Sequence, residues 1–334
     1  MKGLRTNSFI LFILGISILV RLYGLALYPY IGDEYFTLSE AKQFGLNWNS
    51  AIYFRLMNLW IQFGVNEFQL WLVSVIFGIL TVVLFYELGK ALENQQVGLL
   101  AALLAALSPF NIYHSQELRF YSFFIFSSLL FIITTVRFVR SRRAVFDYLL
   151  VAVSGIILIF SHFLGAIFVL VQCLATFTAL NSRLPRWATW LVSGTFLTAC
   201  FMIPTIPAVY QTMWSFYRIY GNAAASVAPL LTPFSFINFA KVLVAVYIFF
   251  FGYHVYPLWF LVVVPGSTLM VALLFTGCKY LVKRSQWGAL PFLTGIGLAG
   301  VYFTLDMVGG RVAGGVSLNM CLNANCQDKP DWRR

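Results

Sequence analysis

The sequence predicts an all-α polytopic membrane protein, and three observations carry that expectation. Hydrophobic residues make up 60% of the 334-residue chain and charged residues only 10%, far from the balance of a soluble domain. Apolar runs of roughly 20 residues, the length that crosses a bilayer, recur along almost the whole sequence. Lys and Arg also concentrate in alternate connecting segments, as the positive-inside bias requires. That bias, with contact to anionic lipid, accounts for the net charge of +11 without a nucleic-acid partner.

Taken in order, the first run, 8–28, follows "MKGLRTN". It is long, lacks a clear small-residue cleavage site and carries Arg21, so it reads as a span rather than a signal peptide. Further spans are expected at about 69–89, 97–113, 120–138, 146–160, 163–180, 188–208, 258–276 and 288–305, about nine in all, with a tight turn at Ser161–His162. Lys2, Arg5, Lys90, Arg137, Arg140, Arg142, Arg143, Arg183, Arg186, Lys279, Lys283 and Arg284 fall on one side, against Glu87, Glu93 and Asp147, and mark it as cytoplasmic. This topology keeps 210–257 outside and lays 239–251 along the outer interface.

Residues 1–315 form one transmembrane domain on this reading. The segment 316–334 is polar and without periodicity, and is either a disordered tail or out of frame; in the second case the open reading frame should continue with further spans. No Gly-rich phosphate loop, CxxC pair or HExxH is present. Cys173, Cys200 and Cys278 read as packing residues, whereas Cys321 and Cys326 in the tail could pair externally.

The stretch "YPYIGDEYFTLSEAKQF" follows the first span, where Pro29 and Gly32 end the helix. Asp33 is then placed to cap a helix over 33–44, with Phe36, Leu38, Ala41 and Phe44 as a partial apolar face lying in the interface. Taken alone, Asp33 and Glu34 read simply as an N-cap and a first-turn acid that complements the helix dipole. A second polar cluster, "SPFNIYHSQELRFYSF", lies at the next exit on the same side and adds His114, Gln116, Glu117, Arg119 and Tyr121. Together the two loops suit a substrate with one end in lipid and a polar headgroup above it. No metal or cofactor is predicted, although Asp33, Glu34, Glu117 and His114 are donors that could share a divalent ion.

The segments "YIGDEYFTLSEA", "FGVNEFQLWLVSVIFGILTVVLFYELGKAL" and "LLAALLAALSPFNIYHSQELRFYSFF" resemble the membrane glycosyltransferases of the dolichyl-phosphate-mannose protein mannosyltransferase and aminoarabinose transferase kind, and "SHFLGAIFVL" resembles that family's aromatic turn after the fifth span. The resemblance implies a C-type glycosyltransferase fold with interfacial helices in the first outer loop. It also implies a polyprenyl-phosphate sugar donor and inversion at the anomeric carbon, with Asp33 matching the general base. The donor's partners would be a lipid, glycan or protein acceptor and the surrounding membrane lipids.

Relatives often carry His or Lys and two prolines before "LYF", where "NWNSAIYF" here places Asn49, Ser50 and Ala51. The cation for the donor phosphate is therefore sought in Arg55, Arg119 or Arg218, and Arg21 within the first span is a further candidate beside pairing or snorkelling. The expected site is thus Asp33 as catalytic base, with Glu34, Arg55, His114, Gln116, Glu117, Arg119, Tyr121 and Arg218 binding substrate. A bacterial inner membrane, with the site facing the periplasm, is the expected location. The rival readings are a lipid or sugar transporter and a truncated, inactive member of the same family.

Overall fold

The computed structural model describes residues 2–25, 32–42, 50–140, 144–162 and 164–180, with single helical positions at 272, 276 and 279. These residues are helical throughout apart from turns and short connections. In chain order they form α1 (Lys2–Leu22), α2 (Gly32–Lys42), α3 (Ala51–Trp60) with a 3₁₀ turn at Ile61–Phe63, α4 (Glu67–Leu92), α5 (Gln95–Leu107), α6 (Pro109–Ser115), α7 (Tyr121–Arg140), α8 (Ala144–Ser161) and α9 (Leu164–Leu180).

Two helices are long and apolar enough to cross a membrane, Glu67–Leu92 and Tyr121–Val139, and the pair α5–α6 makes a third if counted as one bent span. Ser8–Leu22, Phe146–Ser161 and Leu164–Cys173 are shorter apolar helices. The protein is therefore a mostly helical membrane protein over this region. The expected spans at 188–208, 258–276 and 288–305, the interfacial segment 239–251 and the tail lie outside the described residues, as single positions apart.

Three sequence expectations change. The first helix ends at Leu22 rather than near residue 28. The run 97–113 is not one helix but two, bent by 59°. Pro109 causes the break: the residue before a proline is pushed out of the helical region, and Ser108 is extended. Proline then suits the first turn of α6, where its missing N–H has no partner to lose, and the Ser108 hydroxyl accepts from the Asn111 amide at 3.4 Å.

The third change concerns α2. It begins at Gly32, so Asp33 lies inside the first turn instead of at the cap. Its inward residues are Glu34, Thr37 and Ala41, whereas Tyr35 and Phe36 are exposed. The spacing i, i+3, i+7 is helical, but the buried face is largely polar. Of the expected apolar stripe, Ala41 and Leu38 pack on the core and Phe36 is exposed, while Glu34 and Thr37 find hydrogen-bond partners on the inward face.

α4 is the central helix, packed on α5 and α7, and α7 continues the bundle to α8. At one end Tyr53, Phe54 and Met57 of α3 join Leu70 and Trp71 of α4 with Leu118, Phe120 and Phe123. At the other, Arg137 pairs with Glu87 at 2.7 Å. Trp71 and Glu87 stand sixteen residues apart on α4, which at 1.5 Å per residue separates the two ends by about 24 Å.

At the Glu87 end α4 and α5 approach through glycine. A Cβ on Gly89 would sit 2.8 Å from the Gly98 Cα and 2.9 Å from the Val97 oxygen, and one on Gly98 would sit 2.6 Å from the Tyr86 oxygen. Backbone cannot yield as a side chain can, so Gly89→Ala or Gly98→Ala should cost about 1–3 kcal/mol by forcing the helices apart. Thermal unfolding in detergent should register either variant as a lowered midpoint, and an unchanged midpoint would contradict this packing.

Candidate active site

The loop end of the bundle is built by exchanging helix-terminal carbonyls. α5 stops at Leu107, leaving its last carbonyls without intrahelical donors. The Arg21 side chain of α1, fully buried, supplies them: Nη1 donates to the Ala106 oxygen at 3.1 Å and Nη2 to the Ala105 oxygen at 3.3 Å. Its remaining bonds run to the Ser17 hydroxyl at 2.8 Å and the Ser17 carbonyl at 3.3 Å, and from Nε to the Ser115 hydroxyl at 3.2 Å. A cation at a helix C-terminus also complements the helix dipole.

Arg21 thus neither pairs with an acid nor snorkels, and its guanidinium is taken up internally rather than offered to a phosphate. A transport site would want a charge such as this turned towards a cavity at mid-membrane. α1 is capped in turn by Gln116, whose Nε2 donates to the oxygens of Tyr23 at 2.9 Å, Arg21 at 3.1 Å and Val20 at 3.5 Å. The expected substrate-binding role of Gln116 therefore meets a side chain whose amide nitrogen holds α1.

Glu34 joins the two expected loops. Its buried Oε1 accepts from the Trp71 indole at 2.8 Å and from the Leu118 amide at 2.7 Å. One turn on, the Thr37 hydroxyl accepts from Arg119 Nη1 at 3.3 Å. At the end of α2 the Ala41 oxygen accepts from Asn58 of α3 at 2.7 Å. The Ser74 hydroxyl reaches the Arg119 carbonyl at 3.5 Å and lies 3.4 Å from Tyr53 Oη. Burial of Tyr53 raises its phenol well above the ordinary value, so it stays protonated.

His114 lies at the end of α6, its Nδ1 2.8 Å from Glu117 Oε2, with the rings of Phe110, Tyr113 and Tyr121 around it at 4.4, 5.2 and 5.0 Å. Arg119 lies over Phe120 at 5.2 Å and Tyr121 at 5.7 Å, within cation–π range. Glu34, His114, Gln116, Glu117, Arg119 and Tyr121 are thereby brought to one end of the bundle. Arg55 is exposed on α3, on the side away from the buried Tyr53 and Met57. The Asp33 side chain and Arg218 lie outside the described residues. Among the described residues no three of His, Cys, Asp and Glu gather to hold a metal ion.

His162, between α8 and α9, was not among the sequence candidates. It stacks on Phe120 at 4.8 Å and 24°, and its Nδ1 accepts from the Leu164 amide at 3.2 Å. The turn expected at Ser161–His162, flanked by aromatics, was the available signal. Burial, aided by the charge of Arg119, lowers this imidazole to about 4, and an accepting Nδ1 likewise requires the neutral ring.

Residues 44–207 match the family profile described as dolichyl-phosphate-mannose-protein mannosyltransferase. Over that stretch the chain is similar to this family. No curated protein matches the chain. A mannosyltransferase-family member is a membrane glycosyltransferase, and the family implies a polyprenyl-phosphate sugar donor and an acceptor. The match covers α3 to α9, with the loop of His114 to Tyr121, and begins after Asp33 and Glu34. Glu34 nevertheless bonds to Trp71 and Leu118 inside it.

Two predictions follow from these bonds. Gly78 of α4 leaves no room for a methyl: its Cβ would overlap the Ser115 hydroxyl and lie 2.7 Å from the Ser115 Cβ and 3.0 Å from Arg21 Nε. Gly78→Ala should therefore lower the thermal midpoint and Ser115→Ala should not rescue it, since the Ser115 Cβ is itself in the way; rescue would refute the geometry. Arg21→Leu should cost about 1–3 kcal/mol by leaving the Ala106 carbonyl bare and Ala105 with only the Asn111 side-chain amide at 3.4 Å, with Arg21→Lys intermediate because an ammonium lacks the planar fork.

The pH response of His162 has a definite sign. Its folded value lies below the ordinary 6.5, so its contribution is complete above pH 6.5 and is lost as pH falls from 6.5 towards 4, by about 3 kcal/mol at most. Unfolding midpoints across that window should fall in wild type and fall less in His162→Asn.

Proposed function

We propose that the protein transfers a sugar, with inversion, from a polyprenyl-phosphate donor to a lipid, glycan or protein acceptor, at the periplasmic face of a bacterial inner membrane. The observation that carries this reading is the Glu34 carboxylate, which binds α2 to Trp71 and to the loop of Glu117 and Arg119 within the mannosyltransferase-family region. Asp33 adjoins Glu34 in the first turn of α2, so the chain position expected of the base is held beside a loop that carries a cation.

In the proposed step the Asp33 carboxylate takes the proton of the acceptor hydroxyl or amine as that group attacks the anomeric carbon. The bond from that carbon to the phosphate oxygen breaks on the opposite face, through an oxocarbenium-like transition state. Guanidinium groups neutralise the departing phosphate; Arg119 is the first candidate, with Arg55 and Arg218 behind it. Glu34 positions the helix instead of taking part in the proton transfer.

Asp33→Asn should fold normally and lose roughly 10²- to 10⁴-fold in transfer rate with a matched donor. Glu34→Gln retains an oxygen acceptor for Trp71 and Leu118 and should lose much less. Glu34→Ala leaves both donors bare and should cost stability, about 1–3 kcal/mol for each. Near-normal turnover by Asp33→Asn would remove Asp33 as base, and absence of transfer by wild type from any polyprenyl-phosphate sugar would remove the reaction.

A further inference from the structure

His162 makes a hydrogen bond that needs its neutral ring and a stack that fixes where the ring lies. Its Nδ1 accepts from the Leu164 amide at 3.2 Å and its carbonyl from the Gly165 amide at 2.8 Å, so it satisfies first-turn donors of α9 as a capping residue does. Its face stacks on Phe120, with Phe124 edge-on at 5.4 Å, and Phe120 carries the Arg119 guanidinium at 5.2 Å.

We propose that His162 is a positioning residue of the candidate site: its neutral imidazole caps α9 and, through Phe120, holds the 116–120 loop and Arg119 in register with α2. What the loop is positioned to do rests on the glycosyl-transfer reading; that it is held by His162 does not.

The same loop is tied to α2 by the Leu118 amide on Glu34 and by Arg119 on Thr37. Protonating His162 would turn an N–H of Nδ1 against the Leu164 N–H, put a cation at the positive end of the α9 dipole and set it near Arg119. The other groups on the elements packed here are accounted for individually. Glu117 meets His114, Glu34 meets Trp71 and Leu118, and Tyr121 lies against His114. On α3, Tyr53 is buried and Arg55 exposed, and Asp147 is at the far end of α8. The described residues of α9 carry no charged side chain. One proton on Nδ1 thus breaks the cap and, by displacing the ring, loosens the loop that stacks on it.

Hydrogen–deuterium exchange of the full chain in detergent tests this without donor or acceptor. A wild type that transfers no sugar therefore sinks the functional reading alone. In wild type, the peptide spanning 115–121 should be protected at pH 7 and, corrected for intrinsic rate, should exchange about tenfold faster at pH 4.

His162→Phe keeps a ring for the stack but cannot cap or titrate. It should expose the start of α9 and abolish the acid response of the loop. His162→Asn keeps an acceptor for Leu164 but loses the stack. It should leave the start of α9 as in wild type and speed loop exchange about tenfold already at pH 7. Loop exchange in His162→Asn within about twofold of wild type, or an acid response surviving in His162→Phe, would overturn the proposal. Should neither variant fold, a wild-type loop whose exchange ignores pH would overturn it equally.

Discussion

The end of α5 is the constraint on which the site end of this protein depends. A helix that stops inside an apolar bundle leaves carbonyls that water cannot reach, and each needs a donor from elsewhere in the chain. Arg21 supplies that donor, and the rest follows from accommodating a guanidinium. Ser17 and Ser115 meet its remaining N–H groups, and Gly78 gives up a side chain to make room. Pro109 turns the chain so that Ser115 arrives on the correct side. Gln116, the next residue, then reaches back to the end of α1.

The loop that follows inherits this order. Within five residues it uses Gln116 on α1, the Leu118 amide on α2, the Arg119 carbonyl and guanidinium on α4 and α2, and Phe120 on His162. A loop held at so many points presents its charges with little freedom left to lose on binding, which is the condition for electrostatic preorganisation. The polar face of α2 completes the arrangement by turning Glu34 and Thr37 towards the loop.

The sequence was informative where a signal is summed over many residues. The long apolar runs gave α4, α7, α8 and α9 close to their observed places, and the convergence of the two acidic loops survives as the Glu34–Leu118 bond. It misled where one residue decides. Pro109 divides a run that hydropathy reads as continuous. The polar inward face of α2 was not legible, because composition cannot say that Glu34 would find an indole and an amide waiting. Arg21 was legible as unusual but not as a cap, since its partners lie 84 and 85 residues away. His162 escaped notice because a single histidine in an aromatic turn has no pattern of its own.

The separation of Arg21 from its carbonyls also bears on how the chain is made. Ala106 is synthesised 85 residues after Arg21, a delay of roughly 4–17 s at ordinary rates of 5–20 residues per second. During that interval α1 carries a cation near one end and has no α5 terminus to receive it. Its position next to the last residue of α1 allows the side chain to stay at the interface meanwhile and move inward only when α5 and α6 arrive. Insertion of the first helix and its final docking are therefore separate events, and a nascent chain halted before Ala105 would display an unmet charge by which membrane quality control can recognise it.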